Sequence, residues 1–404
     1  MSLLFSSVFS RALRSRNYRL YFAGQLVSLA GTWMQQIAMV WLAYRLSNSA
    51  LVLGWVGFAS QIPILLFSSF MGVLTDRFDR RRLLMVTQTL ALAQALALAG
   101  LTWMHWISPG WLIVLAFLLG CVAALDVPAR QAFVVDLVEK REDLPNAIAL
   151  NSFLMNATRF VGPALAGFAV AAVGEAVCFV LNAMSYLAVL LALLAIKVRP
   201  HVPNRAPALH ALREGFRYVW RHRDIRALLL VAAAVSFLVT PYAVMMPLFA
   251  REIFGGDART YGLLIGSAGA GSLLASLYLA SRVDTAGLVR RVAGAVTAAG
   301  IALTFFALNR QLALAFPAVM ALGCAVIVAI AGSNTLIQTQ VEDAYRGRVM
   351  AIYSAAFLGV APLGSLAVGS LAHIVGVPHT LLACGLIAVG VGLTARRRLR
   401  AAPR

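Results

Sequence analysis

The run Asp76-Arg77-Phe78-Asp79-Arg80-Arg81-Arg82 sets six charges in seven residues between two stretches that carry none, Leu51–Thr75 and Leu83–Trp103. Each flank has the roughly 20 apolar residues that cross a bilayer as a helix. A charged hairpin between two membrane spans follows. The rest of the chain repeats the pattern: of 404 residues, 61% are hydrophobic and 12% charged, against about 45–50% and 25% in a soluble domain. A soluble globular protein is excluded, and the chain reads as an all-α polytopic membrane protein.

Apolar windows predict twelve spans. The first six lie near Leu20–Leu46, Leu51–Thr75, Leu83–Trp103, Trp111–Val127, Ala149–Val173 and Val177–Ile196. The second six lie near Leu228–Phe249, Tyr261–Ala280, Val289–Leu308, Leu312–Ile330, Val349–Val375 and Thr380–Thr394. The long polar gap at 197–227 carries Pro200, Pro203, Pro207 and eight basic residues. It reads as a cytoplasmic linker between a six-helix bundle at 1–196 and a second at 228–404, which ends in a basic tail. A shift of 208 residues superposes Gly54 on Gly262, Ser68 on Ser276, Asp76 on Asp284 and Arg82 on Arg290, as parallel repeats would.

The net charge of +19 would suggest a polyanion partner in a soluble chain. Here the basic residues cluster between spans, without the aromatic interleaving of a nucleic-acid surface. Placing both termini in the cytoplasm puts 29 of the 34 basic residues there, against Arg45, Arg251, Arg259 and Arg310 on the other side and Arg159 within a span. The positive-inside rule selects that orientation. Cys121, Cys178, Cys324 and Cys384 all fall in apolar runs without CxxC or histidine spacing, which favours packed thiols over a metal site. Arg11, Arg14, Arg16 and Arg19 follow the first short apolar stretch, the reverse of a secretory leader. No cleaved leader is expected.

The stretch from Gly72 through Asp76, Arg77 and Arg80 to Arg82 resembles the signature loop of the major facilitator superfamily. Gly31-Thr-Trp33-Met-Gln35-Gln36, Pro128-Ala-Arg130-Gln131, the run from Arg159 through Gly162-Pro163 to Gly167, and Arg346-Gly-Arg348-Val-Met350 are similar to one branch of it. That branch holds drug and siderophore exporters, including the enterobactin exporter and macrolide efflux pumps. The resemblance implies twelve helices in two bundles around a central cavity, with alternating access. It implies that Asp76 holds one access state and that Gly72, Arg77, Arg80, Asp126, Gly162 and Pro163 belong to the conformational gate. Two departures stand out: Asp79 replaces the loop's usual glycine, and the fourth helix lacks the arginine that many proton-coupled exporters carry around 116–120.

Residue by residue, Arg77 and Arg80 are candidate partners of Asp126, which stands at the expected end of the fourth helix. In the fifth helix Ser152, Asn156, Arg159 and Pro163 share one face, and Arg159 falls near mid-membrane. A charge there faces protein or water, not lipid: it either contacts substrate or is locked against neighbouring carbonyls and amides. In the first helix Gln25, Ser28, Thr32 and Gln36 form a polar stripe, with Trp33 and Gln35 beside it; such a stripe faces a cavity or a partner helix. The second half offers Phe237, Tyr242 and Met245 around Pro241, and Asn334. An aromatic, Met and amide lining suits a bulky amphipathic solute.

No nucleophile triad, metal cluster or phosphate loop occurs at usable spacing, so neither an enzyme nor a cofactor is expected. The expected function is secondary active export of small organic molecules across a bacterial inner membrane by a monomer, with H+ the candidate coupling ion. A lysophospholipid flippase of the same superfamily and a polytopic receptor or scaffold that binds without transport are the alternatives. In a cysteine-free background, single cysteines at Asn204 and Ala402 should resist an impermeant thiol reagent in intact cells; ready labelling of either would reverse the topology.

Overall fold

The computed structural model describes residues 11–138, 140–196, 209–282 and 287–400. Among them are helices and turns but no strand. Backbone polar groups in lipid must pair internally, which leaves helices or a closed barrel, and the long Ala- and Leu-rich runs form helices. Eleven stretches are long and apolar enough to cross a membrane. The first four are α1 (Arg16–Ser47), α2 (Ala50–Arg77), α3 (Arg80–Trp103) and α4 (Pro109–Leu137).

The next stretch, Leu144–Ala195, has 52 residues, about 78 Å of helix and more than twice a bilayer's hydrocarbon core. It breaks at Gly174, whose φ of 80° and ψ of 169° suit glycine alone. It therefore holds two spans, α5 (144–173) and α6 (175–195). A short amphipathic helix, α7 (Leu209–Arg221), lies in the stretch expected as linker. Then come α8 (Arg223–Ile253), α9 (Ala258–Ala280), α10 (Leu288–Leu308) and α11 (Leu312–Gln340). The last two are α12 (Asp343–Leu358 and Val360–Val375, interrupted at Gly359) and α13 (Val377–Arg400). Among the described residues the spans number twelve, with α2 and α9 starting 208 residues apart, as do α3 and α10.

Two spans run ten residues past the expected ends at Val127 and Ile330. The apolar windows stop where polar residues begin, but the helices continue because those side chains find partners. Within α4, Pro128 forfeits one backbone hydrogen bond without ending the helix. In α8, Thr240 N–H reaches back five residues to Val235 at 3.1 Å, a wide turn just before Pro241.

Packing divides the chain into two units, Met1–Leu42 with Pro63–Arg205, and Ala43–Ile62 with Ala206–Arg404. In the first, Tyr18, Phe133, Leu137, Leu150 and Leu193 form a core at the end of the spans that meets the arginine-rich connections, here termed the basic end. The Tyr18 hydroxyl donates to the Ala147 carbonyl at 2.8 Å. In the second unit, α10 packs on α11 and α13, and α9 on α11. Lipid tails are as apolar as leucine, so close helix approach depends on small residues. At Gly271 a Cβ would lie 1.8 Å from the Met320 carbonyl oxygen, and at Gly323 one would lie 2.1 Å from that of Ala268. Leu66, Phe70, Leu194 and Ile374 are among many large apolar side chains left exposed, the outer surface a bilayer requires.

Gly271→Ala should force α9 and α11 apart and lower the detergent-phase melting midpoint sharply. Gly294→Ala, where a Cβ meets nothing within 4 Å, should leave it unchanged. Equal midpoints for the two variants would refute the close crossing.

Candidate functional site

The signature loop is short because α2 ends at Arg77 and α3 begins at Arg80. Asp79 stands between them at φ −61° and ψ 114°, and its carboxylate accepts from Arg82 N–H at 2.9 Å. Aspartate does here what an N-cap requires, and no left-handed turn calls for glycine. The surroundings of Gly72 and the side chain of Asp76 lie outside what is described. Arg77 is exposed.

The expected pairing of Arg80 with Asp126 is corrected: Arg80 Nη1 instead donates to both Asp136 oxygens at 3.0 and 3.1 Å and to the Ala132 carbonyl at 3.3 Å. The extra turns of α4 carry Asp136 past the expected helix end, level with the start of α3. Arg81 donates to the Leu193 and Leu194 carbonyls at 2.7 and 3.1 Å, closing the C-terminal turn of α6, where a cation also meets the negative end of the helix dipole.

Asp126 lies well inside α4 instead of at its end, buried to 4% exposure. Its partner is Arg130, one turn on, in a charge-assisted pair. Its other oxygen accepts from Thr87 and Gln88 of α3, both at 2.8 Å. Arg130 also donates to Gln25 Oε1 of α1 at 3.0 Å. Tyr21 packs its ring on Phe133 at 6.0 Å. Tyr21 Oη, Gln88 Oε1 and Arg130 Nε are buried without a protein partner, atoms that ordered water serves in such networks. The cluster ties α1, α3 and α4 through an ion pair of a buried aspartate and a half-buried arginine near the basic end.

A second polar cluster, all amide and hydroxyl, lies deeper. Gln35 Nε2 donates to Gln94 Oε1 at 2.9 Å, Asn182 Nδ2 to Gln35 Oε1 at 2.7 Å, and Gln94 Nε2 to the Leu115 carbonyl at 3.1 Å. Ser185 Oγ donates to Asn182 Oδ1 at 2.9 Å. A Cβ at Gly31 would lie 2.5 Å from that same oxygen, so glycine is what lets α1 approach α6.

These clusters redistribute the polar stripe of α1. Gln25, Ser28 and Gln35 are buried between helices, Thr32 is half-buried and bonds the Ser28 carbonyl at 2.8 Å, and Gln36 is exposed. Trp33 is half-buried against Gly162, where a Cβ would lie 2.4 Å from its ring; Pro163 is buried beside it. On α5, Asn156 is half-buried and donates to the Ser152 carbonyl at 2.9 Å. Arg159 is exposed and has no hydrogen-bond or ion-pair partner among the described residues.

In the second unit, Tyr242 and Met245 are buried, and Phe237 and Asn334 half-buried. Asn334 accepts from Gln338. Thus Gln25, Tyr242 and Met245 fill the interior, whereas Thr32, Trp33, Gln36, Asn156, Arg159, Phe237 and Asn334 keep accessible surface. The sequence reading gave Arg130, Gln88, Gln94 and Asn182 no role. A four-residue Asp126–Arg130 spacing was the available signal, obscured by ending the fourth helix before Pro128.

Against known proteins, the profile of the family described as transmembrane secretion effector matches residues 6–403. The chain belongs to that family, within the major facilitator superfamily. It is 28% identical to the staphyloferrin A transporter of Staphylococcus aureus over 91% of this chain and 92% of that one. It is 28% identical to the multidrug efflux pump Tap of Mycobacterium tuberculosis, covering 92% and 91%. A bacterial homologue of the human lysosomal transporter Spinster shares the fold at a TM-score of 0.71 and 15% identity, over 96% of this chain and all of that one. Members of the family are transporters, not enzymes.

Removing one member of a buried ion pair strands the other charge, at a cost of about 3–5 kcal/mol. Arg130→Met should therefore lower the melting midpoint strongly, and Arg130→Met combined with Asp126→Leu should restore much of it. If the double variant melts below the single one, the pair is not the linked unit its geometry describes.

Proposed function

We propose that the protein is a secondary active exporter of small amphipathic organic molecules, lying in a bacterial inner membrane with both termini in the cytoplasm. Its working halves are 1–196 and 228–404, joined by 197–227, and it acts as a monomer. The full-length similarity to a siderophore transporter and a multidrug efflux pump supports this reading. The observation that carries it is Arg159: an exposed guanidinium well inside a span, with no hydrogen-bond or ion-pair partner among the described residues. An arginine at mid-membrane costs about 2.5–3.5 kcal/mol to insert, and water or a solute must offset that cost. A planar fork of donors suits carboxylate or catecholate oxygens. Asn156, Gln36 and Trp33 of the same unit supply amide and aromatic contacts for the rest of an amphipathic solute.

In this reading H+ is the coupling ion, and Arg80 and Asp126 belong to the gate. Gly72, Asp76, Arg77, Gly162 and Pro163 complete the gate.

Everted vesicles containing the protein should accumulate a labelled catecholate siderophore under an imposed proton gradient. Affinity should rank wild type, Arg159→Lys, Arg159→Gln, with the last roughly tenfold or more weaker, as loss of a hydrogen bond to a charged group implies. Accumulation no greater than in protein-free vesicles would overturn export of this class. Unchanged affinity in Arg159→Gln would reduce the arginine to a structural element.

A further inference from the structure

Helix α7 presents opposite faces of different kinds. Its inner face is fixed to the start of α12: the Tyr218 ring stacks on Tyr345 at 4.5 Å and on His222 at 4.0 Å, and Arg348 pairs with Glu214 at 2.6 Å. Tyr218 and Val219 are buried. At 100° per residue, Phe216 and Trp220 lie roughly 160° around the helix from Tyr218, and they are 61% and 74% exposed. Arg217 and Arg221, four residues apart, form an exposed stripe between the two faces. Arg226 stands over the Trp220 ring, 5.4 Å from its centroid.

The position of α7 selects its partner. It ends two residues before α8 begins at Arg223 and packs on the first turns of both α8 and α12. Those turns are where membrane-crossing helices emerge from the hydrocarbon, so the outer face of α7 lies at headgroup depth. Tryptophan and phenylalanine flanked by arginine are what a helix lying in the interface displays, and arginine adds attraction to anionic lipid. A water-facing surface helix would not leave two large aromatics uncovered on one side.

We infer that α7 is a membrane-surface element that docks on an anionic leaflet, inserting Phe216 and Trp220 among the acyl chains while Arg217 and Arg221 bind lipid phosphates. Because its other side grips Tyr345 and Arg348, the leaflet holds the first turn of α12 through it.

The test is membrane depth, measured without reference to transport. Phe216→Cys, in a chain whose four native cysteines are replaced, carries a nitroxide in vesicles of phosphatidylcholine with 30 mol% phosphatidylglycerol or of phosphatidylcholine alone. In the anionic vesicles the label should be more accessible to oxygen than to a water-soluble nickel chelate. That preference should fall on removing phosphatidylglycerol or raising salt. Arg217→Gln with Arg221→Gln should lower the immersed-to-exposed ratio roughly thirtyfold, the factor two arginines contribute near an anionic surface. The headgroup and salt comparisons need no second variant and stand even if that one folds poorly. Preferential access by the nickel chelate in both vesicle types would overturn membrane docking. Equal immersion in both would overturn anion recognition, and spin–spin broadening at position 216 would assign the face to a second copy of the chain.

Discussion

A buried aspartate and a half-buried arginine one turn apart on α4 set the terms for the basic end of the first unit. Neither charge is tolerable alone inside a helix bundle, and the pair remains short of partners unless other helices supply them. Thr87 and Gln88 on α3 and Gln25 on α1 do so. The consequence is that three helices are held at one depth by polar geometry, in a medium that provides no hydrophobic force to press them together. Nearby, Arg80 with Asp136 and Arg81 with the last carbonyls of α6 extend the same logic to the loop between α2 and α3.

Farther along the spans the glue changes from ionic to neutral. Gln35, Gln94, Asn182 and Ser185 bond one another without a formal charge, so burial there costs less, and the demand shifts to backbone proximity, which Gly31 meets. The second unit relies on still less polarity. Gly271 and Gly323 admit carbonyl oxygens of the facing helix at distances that any side chain would block, and the Ser272 hydroxyl donates to the Gly323 carbonyl at 3.4 Å across the same crossing. Ionic pairing in one unit and close backbone approach in the other are two answers to the same absence of a solvent-driven core.

Arg159 is the exception to pairing, and that gives it meaning. Half-buried Arg130 is held by Asp126 and Gln25, whereas Arg159 is exposed and has no hydrogen-bond or ion-pair partner among the described residues. Two arginines on consecutive helices thereby differ: one is tied into the scaffold, and the other keeps an exposed guanidinium.

The sequence alone determined the number of spans, the position of their basic connections and the superfamily, because those follow from hydropathy, charge placement and a local motif. Thr32, Trp33, Gln36, Asn156 and Arg159 were likewise legible as a polar face, since spacing on a helix fixes which side chains share a side. Spacing cannot tell which of those side chains the neighbouring helices cover. Tertiary packing decided that Gln25 and Gln35 are interior, that Arg80 meets Asp136, and that Asp126 belongs with Arg130. It also made a helix of part of the polar linker, where Tyr218 needs Tyr345 from a segment more than 120 residues away to bury its ring. Apart from Asp126 with Arg130, whose four-residue spacing lay in the sequence, the deciding term is a contact between residues remote in the chain, on which local hydropathy is silent.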